Sequence, residues 1–79
     1  MKPVKVESSN ITALGYTGGD LYVRFKATGV YRYRNVPPQV VLAVVFAESP
    51  GGALNTLVKK EGYAYEQVPS PFADDKVAA

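Results

Sequence analysis

The chain contains no cysteine and no histidine. Without cysteine it can form neither disulfides nor thiolate metal sites, and small secreted domains commonly depend on such cross-links. We therefore expect a reducing, cytosolic setting. Histidine is the commonest general base and a frequent metal ligand, so its absence counts against catalysis and metal binding. The acidic residues are scattered and form no recognisable acid–base pair. We expect a protein that is not an enzyme and that uses no cofactor or metal.

Long apolar segments are also missing. The longest, residues 40–47, has eight residues, whereas a helix needs ~20 to span a bilayer. The first seven residues lack the apolar region of a secretory signal peptide. The sequence therefore predicts a soluble, cytoplasmic protein with no membrane partner. Its formal net charge of +2 is mildly basic, which is compatible with nucleic-acid binding but does not establish it.

The first half of the chain consists of short strand patterns separated by turn residues. Residues 21–26 alternate between apolar and polar side chains, which is typical of a half-buried strand. Further strands are predicted at residues 11–16 and 30–35. The glycine-containing segments 17–20 and 27–29 have the composition of tight turns. We therefore predict a three-stranded antiparallel meander.

The second half is predicted to be helical before a last strand. Residues 36–38 include two prolines, which end the third strand and suit the first turn of a helix. Residues 39–47 then form a helix, although the β-branched run at 40–46 leaves a buried strand as the alternative. A second short helix is predicted at residues 53–60 and a fourth strand at 63–68.

These elements predict one small α+β domain over residues 1–68, in the order β-β-β-α-α-β. A chain of 79 residues can bury only a thin core. Residues 69–79 contain prolines, small residues and charges, with only Phe72 to bury. We predict a flexible, disordered C-terminal tail. Deletion of residues 70–79 is then expected to leave the melting temperature nearly unchanged.

The third strand carries alternating aromatic and basic side chains. Successive side chains of a strand point to opposite faces. Burying Tyr31 and Tyr33 avoids burying Arg32 and Arg34, which would cost several kcal/mol for each unpaired charge. The tyrosines are therefore predicted to be core residues, and the arginines to lie on the outer face of the sheet. That outer face would hold four cations and one ring: Arg24, Lys26, Arg32, Arg34 and Tyr22.

Fixed cations beside an aromatic ring suit nucleic acid. The cations would contact phosphates, and Tyr22 would stack on a base. Lys59 and Lys60 are predicted to assist. The sequence thus predicts a non-catalytic module that binds RNA or another nucleic acid through a basic sheet face. A purely solvated face, whose charges discourage edge-to-edge pairing, is the alternative interpretation.

The apolar run at residues 40–47 supports a second hypothesis. A helix that is apolar on all sides is either buried on every side or exposes a patch that binds something. The alternative function is therefore a protein-binding regulator that uses this run or the basic face. A homodimer formed through residues 40–47 is one version of it. A well-covered core helix, or a strand inside the sheet, would need no partner.

The order of motifs along the chain resembles the KTSC domain, a short module named for its occurrence at the C-terminus of some lysyl-tRNA synthetases. Such domains also occur as stand-alone bacterial and phage proteins. The matching motifs, which cover residues 6–68, are Ser8-Ser9 with Ile11, Gly15-Tyr16, Leu21-x-Val23-x-Phe25, Gly29-x-Tyr31-x-Tyr33, Val36-Pro37, Ala47-x-Ser49-x-Gly51, Asn55 and Tyr63-x-Tyr65. The resemblance implies RNA binding, which has been suggested for the family, and no catalytic residues. Its phage distribution also fits a protein that docks on bacterial RNA polymerase.

Overall fold

The computed structural model describes residues 4–6 and 10–72. Its strands form one five-stranded antiparallel sheet in which spatial order equals chain order. The strands are Val4–Lys5 (β1), Ile11–Thr17 (β2), Asp20–Phe25 (β3), Gly29–Tyr33 (β4) and Tyr65–Val68 (β5). In the chain, two helices, Pro38–Val45 (α1) and Pro50–Leu54 (α2), follow β4 and precede β5. A π-helical turn at Asn55–Lys59 directly continues α2.

The predicted α+β class and the antiparallel meander are confirmed, with one strand added. β1 was not predicted, and it pairs Val4 with Leu14 and Lys5 with Ala13. The strand alternative for the apolar run is wrong, because residues 40–45 are helical. Pro37 is the extended residue before the helix, and Pro38 occupies its first turn, where a missing N–H costs nothing.

Tight turns fix the register of the central strands. Gly18 and Gly19, which join β2 to β3, have φ angles of 59° and 82°. A two-residue hairpin whose central residues both have positive φ favours glycine and matches the twist of the strands. Further along, Tyr22 lies opposite Arg32, and Val23 lies opposite Tyr31. The alternation predicted for these strands therefore becomes two chemically distinct faces.

The helices pack on one face of the sheet, here called the helix face. The main core lies between the helices and the sheet. It includes Leu21, Val23, Tyr33, Val41, Val44, Leu54 and Val58. The helices cover only part of this face. Phe25 and Tyr31 are half-buried, and Tyr65 on β5 is exposed. The helix face is therefore open towards β5.

Phe72 covers part of the opposite face, here called the second face. Its side chain is only 3% exposed and packs against Ala13 and Val30. The predicted flexible tail begins at residue 69, so the prediction is wrong for Phe72. The sequence showed no apolar surface on which this ring could be buried. The apolar side chains of the second face provide that surface. Residues 73–79 of the predicted tail lie outside the described residues.

Within the described ranges no helix is long and apolar enough to cross a membrane. The same ranges contain no cluster of three or more potential metal ligands among His, Cys, Asp and Glu.

Candidate functional site

The structure brings together three of the five residues predicted for the basic outer face. Tyr22, Arg24 and Arg32 lie on β3 and β4, and Tyr22 is directly opposite Arg32. Lys26 follows the end of β3, and Arg34 follows the end of β4; both are exposed. The predicted basic cluster thus has a core of two arginines on the second face.

Both of these arginines have partners within the chain. Arg24 Nε donates a hydrogen bond to Thr12 Oγ1 at 2.8 Å, and its guanidinium lies 5.3 Å from the centre of the Phe72 ring. Arg32 Nη2 lies 2.8 Å from Glu66 Oε1. Hydrogen bonding to Glu66, followed by that to Tyr22, raises the pKa of Arg32. A phosphate on the second face would have to compete with these contacts.

Arg32 also has one atom without a partner among the described residues. Its Nε is buried and makes no hydrogen bond there. Because the atom is inaccessible, it does not offer a large ligand a free donor.

The structure separates Lys59 from the second face. Lys59 ends the π-helical turn on the helix face, and its Nζ lies 4.9 Å from the centre of the Phe25 ring. This distance is in the range of a cation–π contact. Lys60, the next residue, is exposed. The two lysines were predicted to act alike, but only Lys59 stands over an aromatic ring.

An open groove lies where the helices leave the helix face uncovered. It has a volume of about 370 Å³, and we call it the aromatic groove. β3 provides Phe25, β4 provides Tyr31 and Tyr33, and β5 provides Tyr65. Lys59 and Thr28 complete its lining. Rings from three neighbouring strands therefore meet one ammonium group.

The four rings contact one another in a row. Phe25 meets Tyr31 edge-on, with centroids 5.7 Å apart and planes at 80°. Tyr65 lies 6.2 Å from Tyr31 and 5.6 Å from Tyr33. Tyr33 is buried, whereas Tyr65 is 65% exposed. Such contacts restrict the ring orientations, so a buried ring supports an exposed one at the open end of the groove.

The groove carries no negative charge at neutral pH. Burial, followed by the neighbouring Tyr65 and Tyr31, raises the pKa of the Tyr33 hydroxyl to about 12. The hydroxyl therefore stays protonated. Among the described residues, no aspartate or glutamate lines the groove. An anionic ligand would thus meet a cation and neutral rings there.

A protein-family model for the KTSC domain matches residues 7–63. The chain belongs to the KTSC domain family. It is 39% identical over 70 residues to an uncharacterized protein of Stutzerimonas stutzeri, a match that covers 86% of this chain and 99% of the relative. It is 43% identical over 61 residues to a protein of Tsukamurella paurometabola, which covers 75% of this chain and 88% of that one. The resemblance drawn from the sequence motifs is confirmed.

The KTSC fold of this chain also matches a solved structure. The crystal structure of a KTSC domain protein from Yersinia pestis superposes with a TM-score of 0.79 at 24% sequence identity. The match covers 86% of this chain and 97% of the Yersinia protein. At this level of identity the comparison establishes a shared fold.

Sequence reasoning missed the aromatic groove of this KTSC domain because it treated inward-facing rings as core. Tyr33 is core, as predicted, but Tyr31 and Phe25 are only half-buried. The sequence contained one indication of this groove, a second Tyr-x-Tyr pattern that ends at Tyr65 and repeats the pattern of Tyr31 and Tyr33. Only the pairing of Tyr65 with Tyr33 across β4 and β5 shows that the two patterns share a surface.

Proposed function

We propose that this KTSC domain is a non-catalytic module that binds single-stranded RNA, or another single-stranded nucleic acid, in the aromatic groove. The observation that carries the proposal is the row of rings from Phe25 to the exposed Tyr65, with the Lys59 ammonium beside it. Proteins that bind single strands combine rings on which bases stack with cations that contact the backbone. The aromatic groove supplies both, with the rings on β3, β4 and β5 and the ammonium group of Lys59 on the π-helical turn above them.

The aromatic groove is favoured over the second face because its binding groups are accessible. Arg24 and Arg32 are engaged by Thr12, Phe72 and Glu66. A nucleic acid on the second face would exchange existing contacts for new ones, which reduces the net gain. The binding roles that the sequence predicts for six other residues are untested and do not belong to this proposal, because none of these side chains lines the aromatic groove: Tyr22, Arg24, Lys26, Arg32, Arg34 and Lys60.

A titration with fluorescently labelled RNA tests this function. We expect a mixed-sequence single strand to bind about tenfold or more tightly than its duplex, because paired bases are already stacked and cannot enter the groove. Affinity should fall between about 50 mM and about 200 mM salt, since phosphate contacts release counterions. Absence of single-strand binding at the lower salt would overturn the proposal. Equal affinity for the duplex would instead favour backbone contacts on the second face.

A second candidate function, protein association, is favoured by the exposed side of α1. Val41 and Val44 are buried, but Leu42 is 55% exposed and Phe46 is 81% exposed. Phe46 directly follows α1, and its backbone N–H donates to the carbonyl oxygen of Leu42 at 3.0 Å. The two exposed side chains therefore lie one helical turn apart and form an apolar ridge. α1 itself carries no charge. In a dimer with two-fold symmetry, the same patch of each subunit faces its equivalent on the other subunit. Because the ridge is uncharged, two copies of it can meet without repulsion between like charges. The partner proposed for the ridge is therefore a second copy of this chain.

Sedimentation at increasing protein concentration tests this association. We expect a weak dimer whose fraction rises with concentration and falls when Phe46→Ser removes the more exposed side chain of the ridge. Val4→Ser, at an exposed apolar residue outside α1, serves as the control and should leave the dimer intact. A monomer at every concentration would contradict self-association. Docking of the ridge on another protein, such as RNA polymerase, would then be the remaining version of this hypothesis.

A further inference from the structure

A second groove lies next to the aromatic groove. It has a volume of about 300 Å³ and shares Phe25, Thr28 and Lys59 with the aromatic groove. Asn10, Lys26 and Ala27 complete its lining. We call it the lysine compartment. The two adjacent grooves, together called the track, have an aromatic end and a cationic end.

The two ends of the track differ in the chemistry that they offer. The aromatic groove contains the three tyrosines, whereas the lysine compartment contains Lys26 and Asn10 in their place. Lys59 belongs to both. In the described part of the chain, neither groove is lined by an aspartate or glutamate. A nucleotide is divided in a matching way: its base is a flat aromatic ring system, which suits the tyrosines, and its phosphate is an anion, which suits the lysines.

The turn that carries the lysine compartment is held at both ends. The backbone N–H of Lys26 donates to the carbonyl oxygen of Asn10 at 2.8 Å. The side-chain amide of Gln67 donates to the carbonyl oxygen of Thr28 at 2.7 Å. These bonds join the turn to the strands on either side of it. The compartment is therefore organised before any ligand binds, which lowers the entropy cost of binding.

The opposite wall depends on the π-helical turn. This turn, Asn55–Lys59, ends on Lys59 and places its ammonium over Phe25. Single π-helical turns are frequently found at functional sites. Lys60 lines neither compartment. The chain thus offers two adjacent exposed lysines, only one of which faces the track.

Given the proposed single-strand binding, we infer that the track holds one nucleotide with its base in the aromatic groove and its phosphate between Lys26 and Lys59. The base lies against Tyr31 and Tyr65. The shared Phe25 lies below the junction of base and phosphate. The recognised unit is therefore a base with its attached phosphate, whether it belongs to a strand or to a free nucleotide.

A salt series on lysine variants tests the phosphate position. Dissociation constants for a labelled single-stranded RNA are measured for the wild type, Lys26→Gln, Lys59→Gln and the control Lys60→Gln. We expect Lys26→Gln and Lys59→Gln each to reduce the slope of log affinity against log salt by up to about 0.7, the value for one phosphate contact on a single strand. Lys60→Gln should leave the slope unchanged. All three lysines are exposed, so every variant should remain folded, with a small fall in melting temperature only for Lys59→Gln, which loses the contact with Phe25.

Competition by small ligands separates the free nucleotide from the strand. A nucleoside monophosphate should displace the labelled RNA at lower concentration than the corresponding nucleoside. A strand that binds while all three variants keep the wild-type slope, or a nucleoside that competes equally well, overturns the phosphate assignment and leaves the proposed function standing. If the wild type binds neither the strand nor the nucleoside monophosphate, both fall.

Discussion

Replacing Phe72 with alanine should lower the free energy of unfolding by about 3 kcal/mol, the lower end of the range for a buried phenylalanine. The ring is almost fully buried against Ala13 and Val30, and it also packs beside the Arg24 guanidinium. A domain of this size has a total stability of only roughly 3–5 kcal/mol. We expect the melting temperature to fall by about 12–24 °C, measured by circular dichroism.

Phe46→Ala, measured at a protein concentration at which the chain is monomeric, is the matched control for this prediction. It removes the same side chain from a position that is 81% exposed, and surface changes of this kind usually alter stability by less than about 0.5 kcal/mol. Equal shifts in the two variants would contradict the stabilising role of Phe72. The same reasoning reverses the expectation that deleting residues 70–79 has no effect, because that deletion removes Phe72.

The strands that could be predicted are those whose pattern and boundaries are local. Residues 21–26 alternate clearly, and the glycine turn at Gly18 and Gly19 marks where β3 begins. α1 was ambiguous because β-branched residues fit both a helix and a buried strand, and only the prolines before it favoured the helix. β1 was missed because two residues are too few to show any alternation. Phe72 was missed because its contacts are distant in sequence.

The candidate site was predicted in part, for a related reason. The alternation of side chains along β4 predicts that Arg32 points to one face of the sheet and that Tyr31 and Tyr33 point to the other. It does not show which other residues cover each face. The ion pair with Glu66 depends on β5 pairing beside β4, which sets Glu66 against Arg32. The sequence therefore indicated that the arginines of the second face are available to a ligand, whereas in the folded chain they already contact other residues.

The openness of the helix face follows from the lengths of the elements. α1 has eight residues and is about 12 Å long. Five strands spaced ~4.8 Å apart make a sheet about 19 Å wide. Helices this short cannot cover the whole of such a sheet. Side chains that point to the helix side near β5, such as Tyr65, therefore remain exposed, although their pattern indicates burial.

Removing both Tyr31 and Tyr65 should weaken single-stranded RNA binding about 100-fold. Loss of aromatic stacking costs ~1–3 kcal/mol per base. Because both rings contact the same base, removing them together should cost about 2.7 kcal/mol, near the upper end of that range, which is a factor of about 100. The double variant Tyr31→Ala with Tyr65→Ala is compared with Tyr31→Phe with Tyr65→Phe, which keeps both rings. The phenylalanine variant should bind nearly as well as the wild type. Circular dichroism of both variants checks that they remain folded.

Tyr22→Ala decides between the two faces of the sheet. Tyr22 is a half-buried ring on the second face, so its removal should leave the affinity unchanged if bases stack in the aromatic groove. If instead Tyr22→Ala loses affinity while the double tyrosine variant binds as the wild type does, the nucleic acid lies on the second face. In that case Arg24 and Arg32 would have to give up their contacts with Phe72 and Glu66 on binding. RNA would then destabilise the packing of Phe72, and the effect of Phe72→Ala on stability would shrink when RNA is bound.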